Sequence, residues 1–259
     1  MTVEARSSNV GGAAGAIALA GAAVAAAAAL LAGDPRFGTP FLFGAFGSFG
    51  LIAVLVLATV RRYHPFPAFG PANVITLLRA AGAAILVGLL VTAFAHGREA
   101  AALVSAGEAA FVAMAAALMV ACDGLDGRLA RARGLSSAFG ARFDMEIDAL
   151  TILCLSALAV VLGKAGLFAV GIGLLRYVFV AAGWLWPRLA AALPPSRRRQ
   201  TICVVQYLAL IVALLPFVPP PVSGAVLGGA LLALLVSFGI DMRWLLAAPA
   251  GPDGKAGGR

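Results

Sequence analysis

This chain of 259 residues is short of charge: Asp, Glu, Lys and Arg make up 12% of it, against 62% hydrophobic residues and a mean hydropathy of +1.01. A water-soluble domain needs a polar surface that this composition does not supply, which leaves a polytopic membrane protein. The three cysteines, Cys122, Cys154 and Cys203, lie in or beside apolar runs with no CxxC or Cys/His spacing. That excludes a disulfide framework and a zinc site. The two histidines, His64 and His96, fall in connectors read as lying on opposite sides of the membrane, which argues against a His-based metal site or a catalytic triad. Net charge is +8, yet there is no basic, aromatic-interleaved soluble segment, so nucleic acid is not an expected partner. No internal repeat stands out, which disfavours an inverted-repeat transporter.

What is present is a series of apolar runs of about 18–24 residues, long enough to cross a hydrocarbon core of ~30 Å. Eight are expected, near 10–32, 41–60, 72–95, 100–122, 142–162, 165–186, 201–217 and 222–240. Pro, Gly and charge are confined to short connectors such as Gly33–Arg36, Arg61–Pro65 and Pro194–Arg199, and Pro219–Pro221 makes a stiff turn before the last run. The tail from Pro249 is rich in Gly and Pro and is expected to be disordered. Arg6 ahead of a weak Ala/Gly span also suits a signal peptide. With both termini cytoplasmic, the inside collects most arginines, among them Arg61, Arg62, Arg131, Arg142 and Arg197–Arg199, whereas the outside keeps Arg36, Arg98 and Lys164. This positive-inside bias sets the orientation: an integral, multi-pass protein of a cell inner membrane.

Against that background, four aspartates fall in one polar stretch: Asp123, Asp126, Asp144 and Asp148. Carboxylates beside a bilayer are costly and mark functional sites. Asp123/Asp126 are spaced i,i+3 and Asp144/Asp148 i,i+4, so each pair shares a helix face. Two such faces form an all-oxygen cage for hard divalent cations, Mg²⁺ or Mn²⁺. Ordinary surface ion pairs with Arg128, Arg131 and Arg142 are the bland alternative, but those do not require glycines at fixed offsets. In the orientation above, the cluster lies at the cytoplasmic membrane surface.

Written as spacing, the stretch is D-x2-D-G-x2-A-R-x8-G-x3-D-x3-D, with Asp123, Asp126, Gly127, Ala130, Arg131, Gly140, Asp144 and Asp148 at its fixed positions. It resembles the signature of the CDP-alcohol phosphatidyltransferase family at every one of them, and the resemblance covers roughly residues 67–245. Two weaker matches flank it. Asn73-x2-Thr76-x2-Arg79 looks like the family's first core helix, and Ser196–Thr201 lies where members carry a basic segment, though here with arginine in place of glycine.

The resemblance implies an all-α polytopic helix bundle: a two-helix N-terminal extension at 1–66, a six-helix catalytic core at 67–248 and the tail at 249–259. It implies transfer of a phosphatidyl-type group from a CDP-linked lipid such as CDP-diacylglycerol to an alcohol acceptor, with release of CMP. Asp123, Asp126 and Asp144 are then ligands of two metal ions, and Asp148 is both ligand and general base. Asn73, Thr76, Arg79, Gly127, Ala130, Arg131 and Gly140 are expected at the nucleotide lipid. Arg197, Arg198 and Arg199 are expected at an anion, which tilts the acceptor toward a phosphorylated one. Membrane lipid is a partner, and family members resemble homodimers.

Two other classes compete. A membrane prenyltransferase also uses Mg²⁺ and pyrophosphate but shows DDxxD-like loops, absent here. A cation-coupled transporter needs acidic residues at the bilayer midplane rather than at its edge. Away from the motif, Glu146 is expected to point away from the aspartates, Arg176 to face the bundle interior or a polar cavity and Glu108 to be protonated or paired across helices. Lys164, Trp184 and Trp186 are expected at the interface, and Asp241 in a surface contact with Arg243.

Overall fold

The computed structural model describes residues 3–31, 34–97, 107, 109–110, 112–120, 137–191 and 193–247, with side chains from residue 10 onward. Among them are eight helical segments: α1 (Val3–Leu31), α2 (Thr39–Tyr63), α3 (Pro71–His96), α4 (112–120), α5 (Ala138–Val161), α6 (Val170–Leu185), α7 (Arg197–Leu214) and α8 (Pro220–Ala247). Five stretches are long and apolar enough to cross a membrane: Val10–Leu31, α2, α3, Leu167–Leu185 and α8. The architecture is therefore the expected all-α membrane bundle, with two helices ahead of a six-helix core. α5 and α7 fall outside that set because of their charge: α5 carries Arg142, Asp144, Glu146 and Asp148 in its first half, and α7 opens on Arg197, Arg198 and Arg199. Glu108, Cys122, Asp123, Asp126, Gly127, Ala130, Arg131 and the tail from Pro249 lie outside the described residues.

Local sequence sets the helix ends. Gly70 takes φ 82° and Pro71 follows at the first helical position of α3, where a missing N–H costs nothing. Ser137 caps α5, its hydroxyl accepting from Gly140 N at 3.0 Å. Between α1 and α2, Arg36 donates from its backbone N–H to Asp34 Oδ1 at 3.0 Å. Its guanidinium also bonds Asp34 and holds that carboxyl down to about 2. Lys164, expected only as an interfacial anchor, donates to the carbonyls of Leu215 at 2.9 Å and Val218 at 2.8 Å. It thereby ties the α5–α6 turn to the C-terminal end of α7, where helix carbonyls lack partners.

Two apolar cores share α3. One joins α1, α2 and the first half of α3 to Phe139 and Ile147 of α5; the other gathers the second half of α3 with α4 to α8. Small residues let the added helices approach closely, as expected where hydrophobicity alone does not drive helix association. A Cβ on Gly44 of α2 would stand 2.9 Å from Gly88 Cα of α3, and one on Gly88 would stand 2.9 Å from Phe41. The α1–α2 hairpin thus seats on the back of α3, and the opposite flank of α3 is left to meet α5.

Candidate active site at the α3–α5–α7 junction

On α3, Asn73, Thr76 and Arg79 are spaced three apart and all are buried, so they form one face turned toward the bundle. Asn73 Nδ2 donates to Phe69 O at 2.5 Å, and its Oδ1 lies 2.8 Å from the position a Cβ on Gly140 would take. The missing side chain at Gly140 therefore admits Asn73 and lets α3 lie close along α5. Thr76 Oγ1 donates back to Ala72 O at 3.1 Å.

One face of α5 answers that of α3. Asp144 and Asp148, a turn apart, both receive the guanidinium of Arg79: Nη1 reaches Asp144 Oδ1 at 2.6 Å, and Nη2 bonds Asp148 Oδ1. Arg79 is 3% exposed, Asp148 17% and Asp144 34%, so the cation is buried while the carboxylates open progressively toward the helix start. An arginine this deep is tolerated because its charge is matched on the spot. From α7, Tyr207 Oη donates to Asp148 Oδ1 at 2.9 Å. Three helices thus converge on one carboxylate and fix its position.

The start of α5 is anchored in turn. His64, 2% exposed in the α2–α3 connector, places Nδ1 at 3.0 Å from Ser137 Oγ and Nε2 at 2.9 Å from Ala68 O. A carbonyl only accepts, so Nε2 carries the proton there. Ser137, the cap of α5, is therefore held from both sides.

Two of the basic residues at the start of α7 pair with α8. Arg198 donates to Ser237 O at 2.6 Å and to Asp241 at 2.5 Å, and Arg199 reaches Asp241 at 3.2 Å. Arg197 is exposed. Asp241 is 7% exposed and pairs with α7, which corrects the expected surface contact with Arg243: its helix packs against the start of α7 and turns it inward. Arg176 turns toward the bundle interior, one of its two expected places, lines a cavity there and pairs with Glu146 at 2.8 Å.

That cavity, about 590 Å³, opens beside Asp148 and is enclosed by α5, α6, α7 and α8. Sequence reading missed Tyr207 and Gln206, which join Asp148 and the cavity wall respectively. A glutamine inside an otherwise apolar span was a usable signal; nothing in the sequence distinguished Tyr207 from packing aromatics.

Among the described residues no group of three or more His, Cys, Asp or Glu side chains comes together. Asp144 and Asp148 supply two of the four expected carboxylates, and Asp123 and Asp126 lie outside the described residues. The pair present fits a hard cation in kind: two oxygen donors one turn apart already gather around a buried positive charge.

The fold is a multi-pass helical bundle with an acidic pair at the head of a core helix. Residues 69–240, about two thirds of the chain, match the CDP-alcohol phosphatidyltransferase family, and the chain belongs to it. The match begins just ahead of α3 and leaves α1 and α2 outside it. No curated protein and no solved structure matches the chain.

Proposed function

We propose that this membrane transferase moves a phosphatidyl group from CDP-diacylglycerol to an alcohol and releases CMP, with Asp148 as general base. The observation that carries the reading is the convergence of Arg79, Tyr207 and Asp144 around Asp148 at the mouth of a cavity. In the reaction, the Asp148 carboxylate takes the proton of the acceptor hydroxyl. The hydroxyl oxygen bonds to the lipid-side phosphorus, and the bond from that phosphorus to the bridging diphosphate oxygen breaks. CMP leaves with that oxygen.

Asp144 and Asp148, with Asp123 and Asp126 from the motif, would hold two Mg²⁺ or Mn²⁺ ions, which supply positive charge to the diphosphate oxygens. Arg79 holds the two α5 carboxylates at a fixed separation, and Tyr207 orients Asp148 from the opposite side. Asn73, Thr76, Gly127, Ala130, Arg131 and Gly140 belong to the nucleotide side of the site. Arg61, Arg62, Arg142 and Arg197–Arg199 cluster at the end of the bundle where the site opens, which supports a cytoplasmic active site at the inner leaflet. The protein works as a homodimer in this reading.

Reconstituted protein supplied with CDP-diacylglycerol and a panel of alcohols should release CMP, and EDTA should abolish the release. CMP release untouched by EDTA sinks the metal assignment. Release of pyrophosphate from a prenyl diphosphate instead would transfer the protein to the prenyltransferase class.

A further inference from the structure

Resting on the transferase reading, we infer that the cavity beside Asp148 seats the acceptor and takes an uncharged alcohol with an aliphatic body and a second hydroxyl, which Gln206 reads. Three independent observations carry this. The first is the wall. Apart from the polar end near Asp148, the cavity is lined by Ala149, Ile152, Ile172, Phe179, Leu234 and Phe238. Along α6 the lining runs from Val180 to Ile172 and along α8 from Asp241 to Leu234, which at 1.5 Å per residue gives a depth of about 10–12 Å. A mostly apolar pocket with a few placed polar groups selects an amphiphile.

The second is charge. The lining includes Asp148, Asp241, Arg176 and Arg199, two of each sign. Both arginines already face carboxylates, Arg176 at Glu146 and Arg199 at Asp241. A phosphorylated acceptor would have to draw a guanidinium away from its partner, whereas a neutral one leaves both pairs intact. The basic run of α7, which on sequence favours an anionic acceptor, is in this fold engaged with α8.

The third is Gln206, 1% exposed on the cavity wall. Its Nε2 donates to Ala230 O at 2.9 Å, which assigns the amide, and its Oε1 is buried with no partner among the described residues. A buried oxygen that only accepts calls for a donor. A hydroxyl donates; an ionised phosphate or carboxylate does not. Gln206 and Asp148 both line this cavity, so one acceptor seated in it meets both residues. The reacting hydroxyl gives its proton to Asp148 and bonds to phosphorus, while the other donates to Gln206 Oε1 and is not consumed.

The experiment measures CMP release by the full-length protein in vesicles with CDP-diacylglycerol and Mg²⁺, comparing decane-1,2-diol, decan-1-ol, glycerol and glycerol 3-phosphate. The diol should show a KM about tenfold below those of decan-1-ol and glycerol, since decan-1-ol leaves Gln206 unpaired and glycerol leaves the walls unfilled. Gln206→Leu should erase the KM ratio between diol and mono-ol, and Gln206→Met serves if the leucine variant does not fold. A lower KM for glycerol 3-phosphate than for the diol, or a ratio that survives in both variants, overturns the acceptor assignment and leaves the transferase standing. No CMP with any of the four, where another alcohol of the wider panel releases it, overturns the acceptor assignment alone; no CMP with any alcohol of that panel overturns the transferase reading and this inference with it.

Discussion

Replacing Arg79 with methionine tests whether the centre is organised as described, because it removes a cation shared by Asp144 and Asp148 and keeps most of the volume. Arg79 is 3% exposed and Asp148 17%, so their pair is largely desolvated; Asp144, at 34%, is partly open to solvent. Breaking a buried pair by deleting one partner costs about 3–5 kcal/mol. The exposure of Asp144 screens part of that, which places the expected loss at the lower end, about 3 kcal/mol. For a chain of this size that corresponds to a fall in Tm of roughly 6–12 °C. Thermal unfolding in detergent or nanodiscs reads it directly. Arg79→Met combined with Asp148→Asn should be less destabilised than the sum of the single changes, by about 1–3 kcal/mol, since the second change removes the stranded charge. Added Mg²⁺ should raise the Tm of Arg79→Met more than that of the parent. An Arg79→Met Tm within about 1 °C of the parent, or strictly additive losses, would show that the guanidinium does not organise the two carboxylates.

Further outcomes follow from the same geometry. Asp148→Asn should lower the rate of CMP release by about 10²–10⁴-fold, as loss of a general base does, while the protein still folds and inserts. Tyr207→Phe removes a bond to a charged carboxylate worth about 1.5–3 kcal/mol; kcat should fall by roughly tenfold or more, and an unchanged kcat removes Tyr207 from the site. Gly140→Ala places a Cβ 2.8 Å from Asn73 Oδ1 and should destabilise by about 1–3 kcal/mol, with Asn73→Ala in the same chain restoring most of the Tm.

The fold was largely legible because membrane spans announce themselves by length and apolarity, and α2, α3 and α8 do so without ambiguity. α5 and α7 were legible as spans only from their apolar second halves, since their first halves carry Arg142, Asp144, Glu146 and Asp148 and the Arg197–Arg199 run. Within the site, helix spacing alone places Asp144 and Asp148 on one face. What spacing cannot convey is which residue of another helix meets that face. Arg79 was in view as part of the Asn73–Arg79 pattern, but its pairing with both aspartates depends on how closely α3 and α5 approach, which Gly140 decides. At the start of α7 the sequence likewise showed the arginines but not the buried carboxylate from a distant helix, Asp241, that Arg198 and Arg199 face. The contact between His64 and Ser137 joins residues 73 apart and leaves no periodic trace at all.

The central claim is nucleophilic attack by an acceptor hydroxyl, deprotonated at Asp148, on the lipid-side phosphorus of a CDP-lipid. It is met most directly by supplying CDP-diacylglycerol with an alcohol labelled with ¹⁸O at its reacting hydroxyl and locating the label by mass spectrometry. The account predicts one ¹⁸O in the phosphodiester of the product lipid, unlabelled CMP in equal amount, and loss of both products in Asp148→Asn. Label in CMP, or full turnover by Asp148→Asn, contradicts it.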